Sequence, residues 1–188
     1  MADIAVYSGS FNPLHIGHLA IIRHLIEEAD FDMVYLIVSP KNPLKDSISS
    51  DSAAARYNAA IAAINRHFSE INRVLVDDIE LSMPEPHYTI RTLDALRERE
   101  PENTFTLVMG ADSLADIRRW KDYSRILKDF GVAVFPRKEH DLATIKADLL
   151  NENPTYRINL LNAEMVDISS TTIREAIAQG KDISNFLI

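Results

Sequence analysis

Short apolar runs that alternate with stretches of helical spacing constrain this chain more than any other feature. Residues 4–7, 33–38, 74–76, 105–109 and 132–135 read as buried strands, because they are short and mostly rich in β-branched or aromatic side chains. Between them, Leu19, Ile22, Leu25 and Ile26 form one apolar helical stripe, and Ile90, Leu93 and Leu96 form another that ends near Pro101. Ala59, Ile61, Ala62 and Ile64 lie in an alanine-rich helix that Asp51 or Ser52 caps. The last helix is the best delimited: Ser169 or Ser170 starts it, Ile173 and Ile177 are expected to face inward, and Gly180 stands where a C′ glycine belongs. Strands that alternate with helices imply right-handed crossovers, hence an α/β fold built on a doubly wound, mostly parallel sheet. No repeat, low-complexity tract or linker divides the sequence, so residues 1–188 are expected to form a single domain. Ligands of such a sheet bind beyond the carboxyl ends of its strands. The segments that follow the strands therefore matter most, with residues 39–52 the longest expected loop and 84–87 another.

Composition narrows the function classes. The 188 residues include no cysteine, which excludes a disulfide framework, a cysteine nucleophile and any Cys-ligated metal. A hydrophobic content of 46% sets disorder aside. The longest apolar runs, 33–38 and 59–64, are six residues each, against about 20 for a membrane-spanning helix. No basic region followed by an apolar stretch opens the chain, so neither a secretory signal nor a membrane partner is expected, and a cytoplasmic location is. Twenty-eight acidic and 20 basic residues leave a formal charge of −8. That balance argues against a nucleic-acid partner, whose binding rests on phosphate neutralisation. A small anionic substrate held by a few local cations remains compatible with it.

The chemistry concentrates after the first strand, in Ser8-Gly9-Ser10-Phe11-Asn12-Pro13-Leu14-His15-Ile16-Gly17-His18. Small residues at 8–10 let backbone N–H groups approach a phosphate, and a helix that starts near Gly17 turns its positive end the same way. His15 and His18 are three apart and share a face on a first helical turn, which Gly17 leaves open. Two imidazoles there can donate hydrogen bonds to phosphate oxygens as charge builds, the stabilisation that a phosphoryl-type transition state needs. The plainer alternative is a helix cap with two incidental histidines. Neither a G-x-G-x-x-G fingerprint nor a P-loop occurs in the chain. His24, His67, His87 and His140 lack such a setting and read as surface or capping residues. A second helix start, Ile168-Ser169-Ser170-Thr171-Thr172-Ile173-Arg174, offers hydroxyls, N–H groups and an arginine fork suited to anionic oxygens; alternatively it is simply a strong N-cap.

Ser10-Phe11-Asn12-Pro13 followed by His15-x-Gly-His18 resembles the signature of the nucleotidyltransferase superfamily with the HIGH motif, and residues 168–174 resemble its second signature. Within that superfamily, Val108-Met109-Gly110-Ala111-Asp112-Ser113-Leu114 with Trp120-Lys121 is similar to the bacterial nicotinate mononucleotide adenylyltransferases. So are His87-Tyr88-Thr89-Ile90-x-Thr92-Leu93 and the Pro/Lys-rich segment Ser39-Pro40-Lys41-Asn42-Pro43-Leu44-Lys45. The likeness runs from residue 3 to about 178. It departs at Ser8–Asn12, where relatives often carry Gly-Gly-Thr-Phe-Asp, and at 42–45, where many carry Pro-Pro-His-Lys.

The resemblance implies a Rossmann-like nucleotidyltransferase fold and adenylyl transfer from ATP to nicotinate mononucleotide, which gives nicotinate adenine dinucleotide and pyrophosphate. It makes His15 and His18 catalytic and assigns ATP binding to Gly9, Ser10, Phe11, His15, His18, Asp112, Ser169, Ser170, Thr171 and Arg174. Lys41, Lys45, Tyr88, Thr89, Trp120 and Arg137 would meet the mononucleotide. Mg²⁺ would arrive with ATP, with no dedicated protein ligands for a metal, and assembly into a homo-oligomer stays open. Read on their own, several of these residues keep two meanings. Trp120 is a stacking plane for a pyridine ring or a core anchor; Asp112 is an acceptor for a nucleoside or a helix cap. Lys41 and Lys45 are phosphate contacts or solvated loop charges, Arg137 is a nucleotide contact or a solvated charge, and Tyr88 and Thr89 are substrate contacts or equally a core aromatic and a cap. Other functions compatible with the motifs are transfer to the amidated mononucleotide or to phosphopantetheine, and noncatalytic nucleotide sensing. A dinucleotide-dependent oxidoreductase is disfavoured by the missing glycine fingerprint.

Overall fold

The computed structural model describes residues 1–40, 52–138, 140–163 and 169–188. Along the chain run β1 (Asp3–Gly9), α1 (Ile16–Glu27), β2 (Met33–Val38), α2 (Ala53–Phe68), β3 (Val74–Asp77), α3 (Thr89–Arg99), β4 (Thr104–Gly110), α4 (Ala111–Ala115), α5 (Tyr123–Arg125), β5 (Val132–Phe135), α6 (Leu142–Glu152), β6 (Ile158–Leu160) and α7 (Ser170–Ala178). The strands form one sheet in the order β3-β2-β1-β4-β5-β6, and every neighbouring pair is parallel. This is the doubly wound α/β arrangement that the alternation of runs implies.

Period-2 side-chain alternation makes the sheet apolar on both faces. Ala5, Tyr7, Val34, Leu36 and Val38 point to one face and pack against Leu19, Ile22 and Leu25 of α1 and Ala60, Ile64 and Phe68 of α2. Ile4, Val6, Leu107, Met109, Val132 and Val134 point to the other, under Leu93 and Leu96 of α3, Leu114 of α4 and Leu149 of α6. Each fully buried Leu or Ile contributes about 1.5–3 kcal/mol, so two complete layers hold β1 and β4 rigidly between them. The connections leave β1 and β4 over opposite faces, and the crevice between their carboxyl ends is where such a sheet takes its ligand.

Local signals set the helix ends. The Ser52 hydroxyl accepts from Ala55 N–H at 3.1 Å and starts α2. At the far end of α7, Gly180 stands at φ +66° while Gly180 N–H donates to the Ile177 carbonyl (3.0 Å) and Lys181 N–H to the Ala176 carbonyl (2.9 Å). That bond pair is a Schellman closure around a left-handed glycine.

Three features differ from the sequence reading. β6 and α6 carry too little local signal to be recognised: β6 is three residues long with Asn159 at its centre, and Leu149 alone is buried on α6. Ile177 is expected to face inward but is 52% exposed. Among the described side chains of α7 only Ile173 is buried, so this helix meets the core through its first turn while Ile177 on its last turn stays exposed. Among the described residues, no helix is long and apolar enough to cross a membrane.

Candidate active site

The turn after β1 is compact because Gly9 has no side chain: a Cβ there would lie 3.1 Å from the Phe11 ring. Phe11 adopts φ +43° and is buried, with its ring edge-on to Tyr7 (5.4 Å between centroids) and to His18 (5.0 Å). It forms the apolar floor beneath the histidines. His15 itself is the N-cap of α1, one position before the helical turn on which the spacing places it. Its Nδ1 accepts from Gly17 N–H at 3.2 Å, and His18 Nδ1 accepts from His15 N–H at 3.1 Å, which completes a capping box built from two imidazoles. The rings stack with centroids 3.7 Å apart.

This network decides the chemistry of the pair. With both Nδ1 atoms acting as acceptors, the proton of each neutral ring sits on Nε2. Burial pushes the His15 pKa down to about 4, and the Arg137 guanidinium adds to the shift. His18 lies well below its ordinary value through burial first, then the His15 and Arg137 charges. At neutral pH both are therefore uncharged Nε2–H donors. His15 is 3% exposed, and among the described residues its Nε2 has no hydrogen-bond partner. A buried polar group left unsatisfied costs about 1–3 kcal/mol, a cost that an anionic oxygen placed there would relieve.

The second helix start meets the first. Ser169 caps α7, its Oγ accepting from Thr172 N–H at 3.1 Å, with the Thr172 hydroxyl 2.8 Å away. Arg174 reaches back from the first turns of α7: Nη1 donates to the Asn12 carbonyl (2.7 Å) and Nη2 to Thr171 Oγ1 (3.0 Å). A guanidinium has five N–H donors and these bonds use two, so the fork holds the loop and retains donors for an anion. Ser170 is the first residue of α7.

At the β4–β5 side, Gly110 rather than Asp112 is the N-cap of α4, which settles the cap reading of Asp112. Asp112 sits on the first turn with a 66% exposed side chain, and its Oδ1 is 3.9 Å from Arg137 Nε. Arg137 follows β5 with its guanidinium 5.5 Å above the Phe135 ring, and that ring contacts Tyr7. A cation thus stands close enough to the histidines to depress both, and it also opposes the rise that burial imposes on the Tyr7 phenol.

The structure brings Gly9, Phe11, His15 and His18 together by direct contacts, ties Thr171 and Arg174 to the same loop through the Asn12 carbonyl, and joins Asp112 and Arg137 to the site electrostatically. Tyr88 and Thr89 begin α3, and Trp120 follows a 3-10 turn after α4; both rings are half-buried against the second-face core. Among the described residues no hydrogen bond or ring contact links them to the histidines. Lys41 and Lys45 lie outside the described residues. His87 corrects an expectation: it is not at the surface but 7% exposed, and among the described residues its Nδ1 has no hydrogen-bond partner.

Sequence reasoning passes over Arg56, the most connected side chain near the site. It is 4% exposed and donates to the carbonyls of Ser10 (2.6 Å), Ser39 (2.9 Å) and Pro40 (3.0 Å). The signal is present in retrospect: Arg56 lies on the same helical stripe as the buried Ala60, Ala63 and Ile64, where a charge has no reason to be unless something satisfies it.

Known proteins resemble this chain over nearly its whole length. A family model described as cytidylyltransferase-like matches residues 6–176. A Flavobacterium psychrophilum protein named "Probable nicotinate-nucleotide adenylyltransferase" is 38% identical over 184 residues, covering 98% of this chain and 91% of its own length. One of the same name from Bacteroides fragilis is 36% identical over 182 residues, with 97% and 85% covered. Among solved structures, the Plasmodium falciparum nicotinic acid mononucleotide adenylyltransferase complexed with NaAD superposes with a TM-score of 0.78 at 20% identity, over all of this chain and 91% of that one. At that identity the likeness concerns the fold.

Proposed function

The chain belongs to the cytidylyltransferase-like family and, within it, to the nicotinate-nucleotide adenylyltransferases, and from that premise we propose that it transfers the adenylyl group of ATP to nicotinate mononucleotide in NAD biosynthesis. A phosphate oxygen of the mononucleotide attacks the α-phosphorus of ATP in line, the bond from that phosphorus to the β-phosphate oxygen breaks, and nicotinate adenine dinucleotide and pyrophosphate form. The attacking oxygen is already anionic, so no protein nucleophile or strong base is needed; catalysis is positioning plus charge stabilisation.

The paired Nε2–H donors of His15 and His18 carry this reading. They are neutral, preorganised in a largely buried site and set at the start of α1, where negative charge on the transferring phosphate is stabilised most. In the same proposal, the backbone of Gly9, Ser10 and Phe11 together with Ser169, Ser170, Thr171 and Arg174 holds the triphosphate, and Asp112 accepts from the nucleoside. Tyr88, Thr89 and Trp120 take the pyridine end of the mononucleotide, and Lys41, Lys45 and Arg137 its phosphate; the position of Arg137 beside the histidines supports the last of these. A divalent cation, Mg²⁺ in this proposal, enters with ATP. In the same proposal the ion rides on the substrate phosphates, as Mg²⁺ commonly does.

The test is pyrophosphate release measured in parallel with nicotinate mononucleotide, nicotinamide mononucleotide and phosphopantetheine, each with ATP and Mg²⁺. Turnover is expected to be highest with the acid. Turnover confined to another acceptor would overturn the assignment, and ATP binding without turnover on any acceptor would show a sensor instead.

A further inference from the structure

We infer that Arg56 is a positioning residue for this reaction: from the buried side of the first loop it orients the Ser10–Phe11 peptide so that the Phe11 N–H faces the phosphate site. The inference rests on the proposed adenylyl transfer and extends it to a residue on α2, which carries none of the motif residues.

Arg56 sits on the first turn of α2, its guanidinium almost wholly withdrawn from solvent. Nη1 donates to the carbonyls of Ser10 and Ser39 and Nη2 to that of Pro40. Those oxygens lie just past the carboxyl ends of β1 and β2, adjacent strands whose backbones continue to pair there through Ser39 N–H and the Gly9 carbonyl at 2.9 Å. A buried guanidinium is tolerated only where well-formed hydrogen bonds replace water. Its planar fork is also the one side-chain group that reaches three carbonyls from two nitrogens while remaining charged.

The consequence follows from peptide geometry. The cis peptide bonds of the described chain are Asn12–Pro13 and Glu85–Pro86, so Ser10–Phe11 is trans, and its C=O and N–H point in opposite directions. With the oxygen drawn inward by Arg56, the Phe11 N–H turns to the opposite side of the loop. Phe11 stands at φ +43°, a region a bulky residue occupies only when its surroundings hold it there. The Arg56 bond on one side and the packing of its ring on Tyr7 and His18 on the other supply that hold. Arg56 thereby acts on the phosphate through a backbone N–H and touches no substrate itself.

Kinetics and NMR together test this. Arg56→Lys keeps the charge but replaces the planar two-nitrogen fork with one ammonium; we expect kcat about tenfold lower, and about a hundredfold lower in Arg56→Ala, the latter within the range seen when an oxyanion donor is displaced. Free guanidinium ion at millimolar concentration should restore part of the Ala loss, whereas an equal concentration of sodium chloride should not. Values of kcat within twofold of wild type in both variants, measured below their unfolding temperatures, would show a structural role only and overturn the inference. Independently of turnover, the Phe11 amide resonance should shift when wild-type protein is saturated with a nonhydrolysable ATP analogue and Mg²⁺, and should shift less in Arg56→Lys. A Phe11 amide that the analogue leaves unmoved overturns the inference even in an active enzyme. If wild-type protein fails to turn over nicotinate mononucleotide, the functional reading falls while the amide titration still decides the role of Arg56.

Discussion

Two helix N-termini converge on one crevice, and they are built in opposite ways. The start of α1 is buried: His15 is 3% exposed, its cap is an imidazole, and Phe11 and Tyr7 brace the partner His18 from the core side. The start of α7 is more exposed: Thr171 and Thr172 face solvent, Ile173 alone anchors the turn among its described side chains, a hydroxyl caps it, and Arg174 attaches it to the first loop at the Asn12 carbonyl. The difference teaches a division of labour. Donors that must meet developing charge without reorganising belong on the rigid, desolvated end, where each interaction is stronger. On the proposed reaction, groups that admit and release the triphosphate belong on an end that closes with few bonds.

That contrast is open to four tests. The largest effect is expected at His18: His18→Ala should lower kcat by about a hundredfold or more, the cost of a lost oxyanion donor, with ATP affinity nearly unchanged by titration calorimetry. A smaller effect on kcat than on ATP affinity would erase the distinction between the two ends. At the open end, Arg174→Gln should act mainly on binding, raising the KM for ATP about tenfold or more, as loss of a charge-assisted hydrogen bond does. A kcat loss equal to that of His18→Ala would place α7 with the rigid donors instead.

Protonation sharpens the comparison next. Both imidazoles have depressed pKa values in the folded state, His15 at about 4. The unfolded chain therefore binds more protons between pH 6.5 and about 4, and stability rises with pH across that window. Urea titrations should show unfolding free energy declining as pH falls from 6.5 toward 4, and imidazole NMR should find both rings neutral at pH 5.5. A His15 midpoint near 6.5 would contradict the neutral-donor chemistry. The smallest effects belong to the caps of α7. Ser169→Ala should cost about 1 kcal/mol. Gly180→Ala meets no atom within 4 Å, so its cost of about 1–2 kcal/mol is that of a left-handed alanine alone. Urea denaturation measures both losses, and kcat should be unaffected by Gly180→Ala.

Much of the fold is legible along the chain because it is encoded at short range. Five of the six strands announce themselves as apolar runs, and Ser52, Ser169 and Gly180 mark helix ends where the structure has them. The strand β6 is not legible, because an edge strand of three residues needs β5 beside it before its pattern means anything. His87 and Arg56 show the same limit in side chains. A histidine in a loop and an arginine on an apolar stripe look like ordinary surface residues until tertiary packing buries them.

By itself the sequence determined the inventory and its local spacing: alternating elements, a small-residue turn, two imidazoles three residues apart, and a serine-led helix with an arginine on its first turns. Those are interactions within one turn of chain, and residue type with separation suffices to specify them. The tertiary structure alone decided which ends meet. Arg174 bonds a carbonyl 162 positions away, Arg137 brings its charge to the histidines from the end of β5, and Arg56 joins two strand ends from a third element. Even the tautomers of His15 and His18 acquire their meaning there: backbone N–H groups of one helix turn set which nitrogen carries the proton, and burial against the core keeps both rings neutral. Contacts of that kind depend on strand order and layer packing, which no local window of residues contains.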